Sequence, residues 1–194
     1  MDKKFFWIGT SILVLVVLAA GTALILQKTP VTFHGSVLNP PAPAADFSLT
    51  NQSGGTIRLS DYRGKYVLIF FGYSHCLDQC PATMAILAKA RSLLGSQAGQ
   101  VQVIFVATDP AHDTPQSMGE FVSRFDPTFM GATGTLDQLQ PIWTAYGVSV
   151  ADGGTTHSSY TYLIDPQGNL RLTYAYPDNP DEIAADLQAL FKGK

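Results

Sequence analysis

Residues Tyr66–Pro81, YVLIFFGYSHCLDQCP, join two kinds of sequence whose juxtaposition decides the fold. Tyr66–Tyr73 is a continuous apolar run, the signature of a strand buried on both faces of a sheet. Cys76 and Cys80, the two cysteines of the chain, follow at once. Pro81 then suits the first position of a helix, which makes Cys80 the expected cap. Ala82–Leu94 carries Met84, Leu87, Ala88, Arg91 and Leu94 at mixed helical spacing and ends at Gly95, a good helix stop.

Working outward, Val101–Ala107 (VQVIFVA) reads as a second buried strand, and Pro115–Phe125 as a second helix opened by Asp113-Thr114-Pro115. Asp137–Tyr146 reads as a further short helix that Pro141 begins or kinks. Tyr160–Ile164 and Leu170–Ala175 alternate around the turn Asp165–Asn169, a hairpin pattern, and Asp181–Lys192 closes the chain as an amphipathic helix. Upstream, Phe47–Thr50 and Ile57–Leu59 flank the turn Asn51–Gly55 as a short hairpin. Strand, helix, strand, helix, hairpin and helix predict an α/β domain of thioredoxin-like order with an N-terminal β-hairpin.

The amino end is different in kind. Phe5–Leu26 is an uncharged run of 22 residues between Lys3-Lys4 and Lys28. As a helix it spans roughly 33 Å, enough for about 30 Å of bilayer hydrocarbon. Its length favours a retained single transmembrane helix over a cleaved secretory peptide, although Ala19-Ala20-Gly21 offers a cleavage-like pattern. The positive-inside rule puts the short amino end in the cytoplasm. Residues 29–45, with Pro30, Pro40, Pro41 and Pro43, read as a semi-rigid spacer, leaving 46–194 as the folded domain. The chain carries 12 Lys and Arg against 15 Asp and Glu, with 14% charged and 46% hydrophobic residues, which excludes a disordered tail. A mildly negative domain argues against a nucleic-acid partner.

The cysteines carry the chemistry. At the carboxyl end of a strand and the amino end of a helix, they sit where sites collect and where the helix dipole favours thiolate. Sulfurs four residues apart on one helical turn face the same way, with Cα atoms about 6 Å apart, so they can share a bond or a metal. An inert disulfide would close a loop too short to stabilise the fold much. A dithiol exchanger usually has two residues between its cysteines, and here there are three. A closed zinc site needs four ligands, whereas copper(I) is content with two thiolates and an imidazole. Of the four histidines, His34 lies in the spacer and His112 in a loop. His75 adjoins Cys76 and is a candidate to lower its pKa or to bind, although side chains on neighbouring residues usually diverge. His157 precedes the strand Tyr160–Ile164, and in a thioredoxin-like sheet that loop lies beside the cysteines.

The segments FFGYSHCLDQCP, ATDPAHDTP, FDPTFMGATG and THSSYTYLIDPQGNL resemble the Sco/SenC copper-chaperone family, membrane-anchored thioredoxin-fold proteins of cytochrome c oxidase assembly. The resemblance runs from about Asp46 to the end. It implies that Cys76, Cys80 and His157 bind one copper ion, as Cu(I) or Cu(II). Asp78 matches the family's acidic residue between the cysteines, while Asp109 reads as a turn residue with a place near the site left open. Two positions depart from the family: Leu77 replaces a common proline, and His112 replaces a common arginine.

The expected function is therefore a metallochaperone for the binuclear copper centre of the oxidase. One alternative is a thiol-disulfide reductase acting on that centre's cysteines through a redox-active Cys76–Cys80 pair. Another is a peroxiredoxin-like peroxidase, which the absence of Thr three residues before either cysteine disfavours. The expected partners are the copper-bearing oxidase subunit, other periplasmic copper chaperones or thiol reductants, and the membrane itself. Without an Arg-rich presequence, a bacterial inner membrane with the domain in the periplasm is preferred to a mitochondrial setting.

Overall fold

A computed structural model describes residues 32–176 and 178–193. The expected anchor at 1–28 lies outside the described residues, among which no helix is long and apolar enough to cross a membrane.

The central pair is β4 (Tyr66–Gly72) and β5 (Val101–Ala107), parallel and in register from Tyr66–Val101 to Gly72–Ala107. Every residue of β4 is buried, as its unbroken apolar run requires. Successive side chains point to opposite faces. Phe70 stacks on Phe105, which meets Phe121 of α2 (Pro115–Val122). Phe71 instead meets Tyr146 of α3 (Leu136–Tyr146) and Tyr162 of β9 (Tyr160–Ile164). Both faces are thus closed by aromatic packing. Helix α1 (Gln79–Leu93) packs against α4 (Pro180–Lys192), and Tyr66 donates its hydroxyl to the Leu190 carbonyl at 3.1 Å.

The remaining strands, β1 (Ser36–Pro43), β2 (Ser48–Asn51), β3 (Thr56–Arg58), β6 (Met130–Thr133) and β10 (Asn169–Ala175), complete an eight-stranded sheet in the order β1-β10-β9-β4-β5-β6-β2-β3. The hairpin β2 and β3 forms as expected, and so does β9 with β10. Between β5 and β2 lies β6, which no periodicity in the sequence announces. Part of the proline-rich stretch read as a spacer is strand β1, antiparallel to β10. Proline is tolerated there because β1 is an edge strand, and its register shifts between Val37 and Ala42, where Pro40 and Pro41 fall.

The chain entering β1 is tied to α4 by Asp186, whose carboxylate is buried. It accepts the backbone N–H groups of His34 at 3.0 Å and Gly35 at 2.9 Å, the Tyr174 hydroxyl at 3.1 Å, and a bond from His34 Nδ1 at 2.9 Å. Replacing Asp186 with alanine strands these donors, and a bond to a buried charged group contributes about 1.5–3 kcal/mol. Asp186→Ala is expected to lower the unfolding free energy by about 3 kcal/mol in urea titration and to remove exchange protection from β1 first. A loss below about 0.5 kcal/mol would contradict this role.

Candidate metal centre

The site begins where β4 ends. Tyr73 leaves the strand, the Cys76 amide donates to the Tyr73 carbonyl at 3.3 Å, and α1 starts at Gln79 with Asp78 as its cap. Cys80 is therefore the second helical residue and Pro81 the third, each two positions deeper than expected. Proline is accepted there because amides of the first turn have no intrahelical partner. For the same reason the amides of Asp78 and Cys80 are free to donate to the Cys76 sulfur.

Both cysteines are free thiols, Cys76 half-buried and Cys80 fully buried. The Cys80 sulfur packs on the bare backbone of Gly72. A Cβ at position 72 would lie 2.7 Å from Sγ and 2.8 Å from a Phe105 ring carbon, so the last residue of β4 must be glycine for this thiol to enter.

His157 reaches the thiols from the other end of the sequence. It ends β8 (Thr156–His157), which pairs with β7 (Val150–Ala151) as a separate two-stranded ribbon. Gly154 hooks this ribbon to the end of β5: Thr108 donates its hydroxyl to the Gly154 carbonyl at 2.8 Å. At φ +107°, with a Cβ that would fall 2.6 Å from Asp109 Cα, position 154 also demands glycine. Beyond the ribbon, Ser159 donates its hydroxyl to Gln79 Oε1 at 2.8 Å.

These ties set His157 Nε2 3.8 Å from Cys80 Sγ. Its Nδ1 lies 3.2 Å from the Ser158 carbonyl, a bond that holds the proton on Nδ1 and leaves the Nε2 lone pair toward the sulfur. The imidazole stands edge-on to Tyr73 and Phe70, with centroids 5.9 and 6.2 Å away. Beside Cys76 opens a cleft of about 360 Å³ lined also by Tyr73, Asp78, Gln79, Thr155, Thr156 and His157.

The two thiols differ sharply in ionisation. Burial opposes ionisation of Cys76, but the amides of Cys80 and Asp78, the Cys80 thiol and the Tyr73 hydroxyl outweigh it and bring the thiol below its ordinary range. Burial pushes Cys80 well above that range. Tyr73, bonded to Cys76 and partly buried, is pushed up to about 12 and so remains a donor. Burial lowers His157, against the opposing Ser158 carbonyl, which keeps the ring neutral at neutral pH.

The other expected positions separate. Asp78 is exposed, makes no side-chain cap bond and lines the cleft. His34 is bonded through Nδ1 to Asp186 and not to either cysteine. His75 turns its Nε2 to Asp109 Oδ2 at 3.5 Å, and His112 meets the same oxygen at 2.8 Å. Asp109 is thus more than a turn residue: it is buried and shared by two imidazoles. Asp113, read only as a helix-start signal, is buried and accepts the Ser74 amide at 2.9 Å and the Ser74 hydroxyl at 2.7 Å, fixing the loop before Cys76.

A thiol pair at the head of a helix, met by an imidazole from a ribbon beside the sheet, defines a thioredoxin-like protein with two sulfurs and one ring nitrogen brought together. The SCO1/SenC family model matches residues 37–192, and the chain belongs to that family. It is 34% identical over 145 residues to Protein SCO2, mitochondrial, of Saccharomyces cerevisiae, covering 70% of this chain and 47% of that one. To Protein SenC of Rhodobacter capsulatus it is 33% identical, covering 71% of this chain and 66% of that one. Among solved structures, ScoI of Bradyrhizobium japonicum with copper bound superposes with a TM-score of 0.69 at 34% identity, covering 76% of this chain and 99% of that one. The chain spans about half the length of the first curated relatives it matches.

The ionisation asymmetry predicts that Cys76 is alkylated faster than Cys80 by at least about tenfold at pH 7.5, read by mass spectrometry on Cys80→Ser and Cys76→Ser proteins. Equal rates would contradict it. Gly72→Ala is expected to destabilise the fold by about 1–3 kcal/mol, because the Cys80 sulfur or Phe105 must move. An unchanged urea midpoint would show that the strand end tolerates a side chain.

Proposed function

We propose that this chain is a membrane-anchored copper carrier whose cargo is held by Cys76, Cys80 and His157 and passed to the copper-bearing subunit of a cytochrome c oxidase. The observation that carries the reading is the donor set itself. A neutral imidazole presents Nε2 3.8 Å from a buried sulfur, and a second, more readily ionised thiol sits beside it at an open cleft. Two soft sulfurs and one nitrogen suit Cu(I). Three donors leave one side open, so an incoming ligand can enter before any existing bond breaks. The copper-bound relative at 34% identity supports the same cargo. The uncharged run Phe5–Leu26 supports a single span with a cytoplasmic amino end and the folded domain in the periplasm of a bacterium.

The asymmetric thiols favour a second reading, reduction of the oxidase cysteines before metallation. Cys76 thiolate would attack a partner disulfide and release one partner thiol. Cys80 would then displace the other, leaving a Cys76–Cys80 disulfide and a dithiol in the partner. Copper and disulfide compete for the same sulfurs, so one site can serve either chemistry but not both at once.

Anaerobic Cu(I) titration of the reduced full-length protein against a competing chelator separates the readings. One tightly held copper, weakened at least about tenfold by His157→Ala, is expected of the carrier. No competitive binding, together with a readily reversible disulfide, would give the function to thiol exchange. Because the raised Cys80 thiol must lose its proton to bind, log affinity is expected to rise by about one per pH unit above the ionisation of Cys76. Below the ionisation of Cys76, where a second proton must leave, the slope steepens further. A flat profile would rule out cysteine ligation.

A further inference from the structure

A second group of donors converges beside the thiols. His75 stands in the loop after β4, and Asp109 and His112 stand in the loop after β5, with one ligand atom of each within 4.8 Å of the others. His112 Nδ1 lies 2.8 Å and His75 Nε2 3.5 Å from the same oxygen, Asp109 Oδ2. The two rings meet edge-on with centroids 5.6 Å apart.

The burial of the three is unequal in an informative way. The Asp109 side chain is 2% exposed, whereas His75 and His112 are 48% and 72% exposed. Asp109 Oδ1 is buried and has no hydrogen-bond partner. Among the described residues no Lys or Arg forms an ion pair with Asp109, whose side chain meets the two imidazoles. A second buried carboxylate, Asp113, has its backbone N–H on the Asp109 carbonyl at 2.8 Å and an unpartnered Oδ2 of its own. Burial, with a smaller contribution from Asp109, pushes the Asp113 carboxyl up. A buried carboxylate without a cation is costly. Two solvent-facing imidazoles converge on Asp109 and bring two further ligand atoms to the same point.

We propose that His75, Asp109 and His112 form a second metal site, for a borderline divalent first-row cation, with Cu(II) the ion it favours most. Two imidazole nitrogens and a carboxylate oxygen suit such ions, and at a given site of this kind Cu(II) stands at the top of the affinity order. Binding replaces the proton shared between His112 Nδ1 and Asp109 Oδ2, which leaves to solvent. The site is independent of the thiol pair, so it stands whether or not Cys76, Cys80 and His157 carry copper. It is also adjacent to that pair. The Tyr73 ring lies 4.7 Å from His75 and 5.9 Å from His157, between the imidazoles of the two centres. An oxidised ion can thus be held beside thiols that are occupied or locked in a disulfide.

The test uses the full-length Cys76→Ser, Cys80→Ser protein, which cannot reduce the probe. Cu(II) is titrated against a competing chelator and followed by electron paramagnetic resonance. One bound equivalent is expected, with nitrogen hyperfine structure in its spectrum. Affinity should fall at least about tenfold with His112→Ala and again with His75→Ala, and stay unchanged with His157→Ala or His34→Ala. His112 is mostly solvent-exposed, so its removal leaves the core intact and a loss of binding reports the site. No competitive Cu(II) binding, binding indifferent to His112→Ala, or binding lost with His157→Ala would each overturn the proposal. Cu(I) titration of the unsubstituted protein reads the thiol centre separately.

Discussion

The contact between the Cys80 sulfur and the bare backbone of Gly72 is the constraint on which the site depends. A strand that ends without a side chain lets the first turn of α1 settle against the sheet beside Phe105. That packing buries one thiol and leaves the other half-exposed, so two chemically identical residues acquire opposite tendencies to ionise. The same helix start supplies unpaired amides to the more exposed sulfur. Strand end, helix start and thiol asymmetry are therefore one structural event.

A second tie brings in the imidazole. The loop after β5 and the small β7–β8 ribbon are stitched together where Thr108 meets Gly154, a backbone approach that no residue with a Cβ would permit. The ribbon is short and lies outside the main sheet, so its placement relies on this hook and on the Ser159–Gln79 bond. Ligand candidates consequently come from three loops at the carboxyl ends of the central parallel strands and beside them, the region where open α/β sheets gather their chemistry.

The central strands, the two hairpins and most of the helices were legible because their signals are local. β4 and β5 are unbroken apolar runs, and Thr114-Pro115 marks the start of α2 through both its cap and its first residue. What local reading misses is set by tertiary contact. β6, with the sequence MGAT, is too short and too small-sided to show a period, and β1 hides its pairing behind prolines that only a sheet edge accepts. Within the site, the cysteines and His157 stood out by residue type and position. Gly72, Gly154 and Tyr73 did not, since their roles lie in what they approach. Asp109 and His112 read as separate turn residues because nothing in the linear order reveals that His75, from another loop, meets them.

The central claim is that two sulfurs and the His157 nitrogen hold one copper together. Copper K-edge X-ray absorption on the reduced, Cu(I)-loaded full-length protein and its His157→Ala variant tests it most directly. The account predicts a first shell of two sulfurs and one imidazole nitrogen, with the nitrogen contribution lost in the variant. A shell of sulfur alone, or a nitrogen contribution that survives His157→Ala and disappears with His75→Ala, would contradict it.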